Sequence, residues 1–421
     1  MSYAMSLLLR TFLRHCVRDG TLVVDTASGR HFEVGDRTGE PIGLRFMDRG
    51  AERAILLDPA FAVGELFTAG RLVVSGGNVS DLLELLGRNL KSMTPPAIGK
   101  IRQHVRTALR SLSTRNTAQR SRRQIAHHYD HDGRLYDLFL DPYRQYSCAY
   151  FEYPGQPLCD AQRAKMRHIA AKLLVEPGAR VLDIGCGWGG LALFLARACG
   201  ASVTGITLSD EQVRVANTRA AERHLTSSVD FHRTDYRSLT GTFDRIVSVG
   251  MFEHVGHADY DCYFQTANRL LTDDGVMVLH SVGRFDGASA TNPWIEKYIF
   301  PGSYVPALSE VLPAIEKSGL LVTDIEILRL HYADTLALWR NAFMERRGEA
   351  VIYFGEEFCR MWEFYFAACE AGFRHGNLMV FQIQLAKRLD AVPLTRGYIA
   401  EREAVLATQK RVQAETCIAL D

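Results

Sequence analysis

Residues 180–190 read RVLDIGCGWGG: an apolar run holding one acid, Asp183, then Gly185, Gly187 and Gly189 within five positions, then the helical pattern LALFLARAC. A strand leading through a tight turn into a helix accommodates that order, with glycines where the backbone must come close to a ligand. Further strand patterns follow in SVTGITLS, DFHRTDYRS, FDRIVSVG, GVMVLHSVG, LVTDIEIL and MVFQIQLA, with helical patterns between them. Such alternation predicts a doubly wound α/β sheet, whose ligands collect at the carboxyl ends of the strands.

The glycine spacing narrows the ligand. Dinucleotide loops read GxGxxG, whereas GxGxG after an apolar-Asp-apolar strand is the S-adenosylmethionine pattern, with Asp183 supporting the loop. The next strand lacks the terminal acid that commonly binds ribose hydroxyls, which leaves Thr207 and Gln212 for that work. Ser209 and Gln212 also have capping-box spacing, and the two readings of Gln212 stand level. Asp235, Tyr236 and Arg237 lie where an adenine is expected; Tyr236 reads equally as a surface aromatic.

Before this region, TLVVD, PIGLRF, AILLD and RLVVSGG suggest short strands of a small mixed domain. VSDLLELLGRNL closes it as a helix with Ser80 as N-cap. The opening MSYAMSLLLRTFLRHC is interrupted by Arg10 and Arg14 and reads as an amphipathic helix, not a signal peptide or membrane span. No acidic residue occurs between Glu84 and Asp130, while arginines accumulate. Such a block is ordinarily a solvated linker, yet Arg102, Arg106 and Arg110 form a helical stripe that suits an anionic membrane at roughly 1 kcal/mol per side chain. No motif reads nucleic-acid bases, so no nucleic-acid partner is expected. Net charge is +1 over 421 residues and names no partner. Nine cysteines without CxxC or His/Cys clusters point to a reducing compartment and away from a disulfide framework or metal site.

Two chemical groups converge on the rim that holds the glycine loop: Glu253 in MFEHVG and His280 in VLHSVG both follow strand ends. Tyr332, in HYADTLALW after the next strand, projects the same way or is a half-buried core tyrosine. FDGASATNPWIEKYIFPGSYVPAL reads as a long flap, with Trp294, Ile299 and Phe300 either touching lipid or packing on the core.

The motifs HHYD, YSCAYF, VLDIGCGWGG, GITLS, DYR, EHVG, LHSVG, HYADTLALW and FCRMWEFYFAACEAGFR together resemble the cyclopropane-fatty-acyl-phospholipid synthases and mycolic acid cyclopropane synthases over about residues 125–390. The resemblance implies a seven-stranded Rossmann-like S-adenosylmethionine methyltransferase domain over 125–390. A small α/β domain at 1–98, a basic linker at 99–124 and a helical tail at 391–421 complete the expected organisation. It implies methylene transfer to a cis double bond of an unsaturated phospholipid at the membrane surface, through a carbocation whose proton goes to bound bicarbonate. It also implies a homodimer, cytoplasmic and peripheral on the inner membrane face.

By motif match, bicarbonate is held by Glu253, His280, Tyr332 and the backbone at Cys148 and Val282. Tyr146, Ser147, Asp183, Gly185, Gly187, Gly189, Thr207, Leu208, Gln212, Tyr236 and Arg237 hold the cofactor. Tyr146, Tyr150 and Phe151 suit a cationic intermediate. Cys148 then serves through its backbone, since a thiolate would trap a carbocation. Cys369 falls where the family is often marked with a catalytic cysteine, but reads better as a buried helix residue. No metal is expected. HDGRLYDLFLD departs from the family after HHYD, and Val282 stands where Ile is usual. The alternative reaction leaves a methyl or methylene branch; a different class of protein is a membrane-docking chain with an inactive enzyme domain, which the intact glycine loop disfavours.

Overall fold

A computed structural model describes residues 2–90 and 133–408. The basic stripe at Arg102, Arg106 and Arg110 and the HHYD motif lie outside them. Two compact units divide the chain.

The N-terminal elements are α1 (Ser2–Cys16), β1 (Thr21–Asp25), β2 (His31–Gly35), β3 (Ile42–Phe46), α2 (Arg49–Leu57), α3 (Pro59–Thr68), β4 (Leu72–Ser75) and α4 (Val79–Arg88). The sheet runs β2-β1-β3-β4, with β1 antiparallel to β2 and parallel to β3. The amphipathic helix expected at the start is present, burying Leu9 and Leu13 on a core with Leu22, Val24, Leu44 and Ile55; each such side chain contributes about 2 kcal/mol. Two expectations fail. AILLD is the end of α2, not a strand: Asp48 caps that helix by accepting from Ala51 N, and Ala51 and Ile55 bury one face four residues apart. The cap of α4 is Asn78, in a capping box with Asp81, so Ser80 lies inside the helix. β2 was not among the expected strands.

In chain order the described elements continue with α5 (Gly133–Asp137), α6 (Leu158–Lys172), β5 (Arg180–Ile184), α7 (Gly190–Cys199), β6 (Ser202–Thr207), α8 (Asp210–Glu222), β7 (Val229–Arg233), β8 (Phe243–Val249), α9 (Tyr260–Leu270) and β9 (Leu271–Arg284). Then come α10 (Pro293–Tyr298), α11 (Leu308–Ser318), β10 (Leu321–Ile327), α12 (His331–Glu345), α13 (Arg347–Phe354), α14 (Glu356–Arg374), β11 (Leu378–Ala386) and α15 (Gly397–Thr408). The seven-stranded sheet has the order β10-β11-β9-β8-β5-β6-β7; β9, β8, β5, β6 and β7 run parallel, and β10 and β11 pair antiparallel. All seven expected strands are in it. β5 is buried on both faces from Val181 to Ile184, as a central parallel strand must be.

The two compact units interleave in sequence. Ser289–Pro301 and Leu336–Leu378 join the N-terminal residues in the first unit. Within it, α14 packs on α3 and α4, Arg360 Nε donates to Thr68 O at 2.8 Å, and His375 Nε2 meets Glu84 Oε2 at 2.6 Å. Trp294 and Ile299 are buried at 0% and 1% exposure. The Trp294 ring packs edge-on against Phe364 at 4.7 Å, and a Cβ on Gly64 would fall 2.7 Å from it. The packing account of these residues therefore replaces lipid contact; Phe300 sits 5.8 Å from the Tyr365 ring.

Candidate active site

In the second unit, β5 ends in a turn with φ of +85° at Gly185 and +53° at Gly187. A Cβ on Gly187 would meet nothing within 4 Å, so this position opens to space, whereas one on Gly189 would strike Phe231 and Ala216. The absence of a side chain at Gly189 thus serves strand-helix packing. A cavity of about 90 Å³ above the turn is lined by Tyr146, Ser147, Asp183, Gly185, Gly187, Thr207, Gln212 and His254, among others. A neighbouring one of about 60 Å³ is lined by Gly185, Thr207, Leu208, Asp235, Tyr236 and Arg237.

Gln212 meets the cap only through its backbone, and its side chain turns to the cavity wall. Its backbone N donates to Ser209 Oγ at 3.2 Å as half a cap, while Thr207 Oγ1 donates to its Oε1 at 2.6 Å on the cavity wall. Arg237 forks onto Asp235 at 2.9 and 2.7 Å and neutralises it. Tyr236 is half-buried and lies edge-on to Tyr263 at 5.3 Å. Tyr146 joins a ring cluster with Tyr136 and Phe139, and Tyr136 in turn packs on Trp188 of the glycine turn at 4.6 Å.

Glu253 occupies a one-turn 3₁₀ helix after β8, pinned by the fully buried Phe252 against Tyr260 and Tyr263. Its Oε1 accepts from Val282 N at 2.6 Å, and its Oε2 is buried without a partner. The Val282 amide thus fixes the Glu253 carboxyl. Desolvation raises the carboxyl to about 7. The nearby Ser281 hydroxyl opposes that rise only weakly, since Ser281 Oγ donates to Val282 O at 3.0 Å.

His280, near the end of β9, is 2% exposed, and its Nδ1 meets Gln382 Nε2 of β11 at 3.1 Å. Burial first, and then the cations around it, hold the ring well below its ordinary range, so it is neutral. With Nδ1 accepting from the amide, the ring proton sits on Nε2.

Cys148 is buried, and burial pushes its thiol far above the ordinary range while Sγ donates to Ala149 O at 3.3 Å. It is no thiolate. Its segment is tied to the first turn of α12: Ala149 N donates to Thr335 Oγ1 at 3.0 Å, Phe151 N to His331 Nδ1 at 2.9 Å, and the Tyr150 ring stacks on His331 at 5.0 Å. Tyr332 is half-buried on that same turn. Cys369 lies on α14 in the first unit, its thiol pushed up to about 12 by burial. Seven described cysteines are free, whereas Cys159 is disulfide-bonded, against the expectation of uniformly single cysteines. Among the described residues no His/Cys/Asp/Glu group could hold a metal, and no helix is long and apolar enough to cross a membrane.

Sequence reading missed Gln382, His254, His168 and Lys165. A signal existed for three of them: the glutamines of MVFQIQLA alternate in an apolar strand, and Lys165, His168 and Lys172 share one face of a helix.

A glycine turn and strand order of this kind define an S-adenosylmethionine-dependent transferase. Residues 116–383 match the family described as mycolic acid cyclopropane synthetase, and the chain belongs to that family. It is 39% identical over 263 residues to the cyclopropane-fatty-acyl-phospholipid synthase of Escherichia coli K12, covering 62% of this chain and 67% of that one. It is 41% identical over 271 residues to a probable fatty acid methyltransferase of Pseudomonas putida, covering 62% and 68%. The solved cyclopropane synthase MmaA2 from Mycobacterium tuberculosis superposes with a TM-score of 0.60 at 33% identity, covering 63% of this chain and 98% of that one. A structure of the mycolic acid cyclopropane synthase CmaA1 complexed with SAH and CTAB gives 0.59 at 34%, covering 63% and 97%. The chain is accordingly an S-adenosylmethionine-dependent enzyme that cyclopropanates or methylates lipid acyl chains.

Proposed function

We propose that the chain converts a cis double bond of an unsaturated phospholipid acyl chain into a cyclopropane, at the inner face of the cytoplasmic membrane and as a homodimer. When bound, S-adenosylmethionine supplies an electrophilic methyl group, and bicarbonate supplies the base for the proton that leaves the new methyl carbon. The observation that carries the reading is the Glu253 carboxyl, with one oxygen fixed by Val282 N and the other buried and unpaired.

That arrangement fits a small protic anion. A carboxyl raised to about 7 retains its proton near neutral pH, so it can share a proton with an anion that a charged carboxylate would repel. His280, neutral and oriented by Gln382, offers an N–H donor, and Tyr332 a hydroxyl. Cys148 leaves no thiolate to intercept a cation. Both faces of the Tyr150 ring are covered by His168 and His331, so Tyr146 and Phe151 are the rings left to favour a cationic intermediate without bonding to it. Tyr146, Ser147, Thr207, Leu208, Gln212, Tyr236 and Arg237 line the walls suited to the cofactor. Gly185 and Gly187 let the backbone of the turn approach the cofactor, and Asp183, with one oxygen buried and unpartnered, lines the cavity.

The second reading, a methyl- or methylene-branched product, draws support from the relatives named as methyltransferases, including the tuberculostearic acid methyltransferase of M. tuberculosis at 36% identity over 77% of this chain. Purified protein, S-adenosylmethionine and vesicles of unsaturated phospholipid separate the two by mass spectrometry before and after hydrogenation. A gain of about 14 Da that resists hydrogenation supports the ring; a product that still takes up hydrogen overturns it. Full turnover after rigorous removal of bicarbonate overturns the base assignment alone.

A further inference from the structure

Lys165 has no role in the reaction just described, yet it is 0% exposed in the middle of α6. Burying an ammonium is costly unless its protons are accepted, and here they are: Nζ donates to Gln145 Oε1 at 2.6 Å and to Ser147 Oγ at 2.8 Å. Both acceptors belong to the wall of the cavity above the glycine turn. The same wall is fixed by Asp141, which accepts from Tyr143 N and Gln145 N, and by Gln162, whose Nε2 donates to Ser147 O at 3.0 Å. The backbone of the wall is therefore held without Lys165. What the lysine adds is electrostatic: it fills an acceptor site on the Ser147 hydroxyl with a cation.

A hydroxyl whose oxygen already accepts from an ammonium keeps its proton free to donate, and the adjacent charge makes that donation stronger. The donor faces a cavity sized for a small ligand, so it selects a ligand group that only accepts, and best a negative one. S-adenosylmethionine and its demethylated product both carry a carboxylate on their amino-acid tail.

We propose that Lys165 is a positioning residue for the cofactor: through Ser147 it commits a hydroxyl donor to the carboxylate of the amino-acid tail, and so discriminates tailed from tailless adenosyl thioethers. This rests on the cofactor assignment but not on whether a ring or a branch is made.

The test is calorimetric binding of S-adenosylhomocysteine and of 5′-methylthioadenosine, which lacks the tail, to the full chain and to Lys165→Met, a neutral chain of similar length. The expected result is a loss of roughly 10- to 100-fold in homocysteine-nucleoside affinity with methylthioadenosine affinity unchanged within about twofold. Ser147→Ala should give the same selective loss, and the double variant no more than either single one. Equal weakening of both ligands shows that the lysine merely props the wall and overturns the proposal; so does unchanged discrimination. If Lys165→Met does not fold, Ser147→Ala carries the test alone, and its retaining the wild-type preference for the tail overturns the proposal. Failure of the unaltered chain to bind either nucleoside overturns the cofactor assignment and the proposal with it.

Discussion

Two buried histidines in the same unit live under opposite rules. His168, on α6, is held by Glu403 at 2.6 Å and by Glu326 at 2.8 Å, and Lys172 also bonds Glu326. Burial alone disfavours its charged form, but the two carboxylates outweigh that and raise it, while Glu326 is drawn far below its usual range. His280 has a neutral amide for a partner, and its charged form is suppressed. Charge is thus paired where it binds α6, β10 and α15 together, whereas His280, buried and near the Lys165 and Lys172 cations, stays neutral itself. A pocket meant to pass a cation and an anion through one another's presence gains from side chains that are polar but uncharged. The stack of Tyr150 between His168 at 4.3 Å and His331 at 5.0 Å joins the two regions.

The strongest way to break the contrast is at Glu253. Glu253→Gln keeps a donor but cannot take up a proton, and turnover is expected to fall on the order of 10²- to 10³-fold with S-adenosylhomocysteine binding intact, read by lipid mass spectrometry and calorimetry. Stability should move the other way. Burial raises the folded carboxyl from its ordinary value of 4.5 to about 7, so between these values the folded state holds a proton that the unfolded state has lost. Stability therefore falls as pH rises from 4.5 to 7, and stays lower above it. Urea unfolding should show Glu253→Gln gaining on the wild type between pH 5 and pH 8 by up to about 3 kcal/mol. A pH-independent difference means the carboxyl is not protonated in the folded state.

The charged region is broken at His168. His168→Gln leaves Glu326 and Glu403 facing one another, and is expected to destabilise by about 3 kcal/mol at pH 6. The sign is fixed by the raised folded value: the contribution is complete below the ordinary histidine range near 6.5 and disappears as pH climbs through the folded value. Glu326, lowered in the folded state, contributes above its ordinary range near 4.5 and ceases to do so in acid. The wild-type advantage in urea unfolding should accordingly shrink from pH 6 to pH 9. An equal deficit at both would reduce the cluster to packing.

How much of this was legible in the sequence depends on whether a contact is local. The glycine turn, all seven strands of the large sheet and the convergence of Glu253 and His280 are consequences of strand ends and short-range pattern. The Asp48 and Asn78 caps were written in the sequence too, but AILLD was read as a strand because four residues cannot separate a short apolar run from the last turn of a helix. The pairing of His280 with Gln382 spans 102 positions and that of His168 with Glu403 spans 235, so no local pattern announces them. The burial of Trp294 is of the same kind: a Gly- and Pro-rich stretch looks like a flap until α3 and α14 are seen to cover it.

A milder change sharpens the neutral side of the comparison. Gln382→Leu removes the partner of His280 Nδ1 while keeping the strand apolar, so the ring is free to take the wrong tautomer. Turnover should drop about 10-fold, and cofactor affinity should not change. His280→Asn combined with Gln382→Leu should then be no worse than His280→Asn alone, since the glutamine acts through the ring. Additive losses would give Gln382 a role of its own.

The smallest effect is expected at Cys369. A catalytic cysteine needs a populated thiolate, which comes from nearby cations, a helix N-terminus or a metal. Cys369 has the opposite surroundings: it sits near the C-terminal end of α14, a helix ending at Arg374, and burial pushes its thiol up to about 12. At neutral pH the thiolate fraction is then on the order of 10⁻⁵, too small to serve turnover. The position instead lies on the helix that packs against α3 and α4 in the first unit, where sulfur is a space-filling group. Cys369→Ser replaces it with a smaller, more polar atom. Turnover should stay within about twofold of wild type, with at most about 1 kcal/mol lost in urea unfolding. A folded Cys369→Ser protein that binds S-adenosylhomocysteine normally and makes no product would move the chemistry from the neutral pocket at Glu253 and His280 to a sulfur in the other unit.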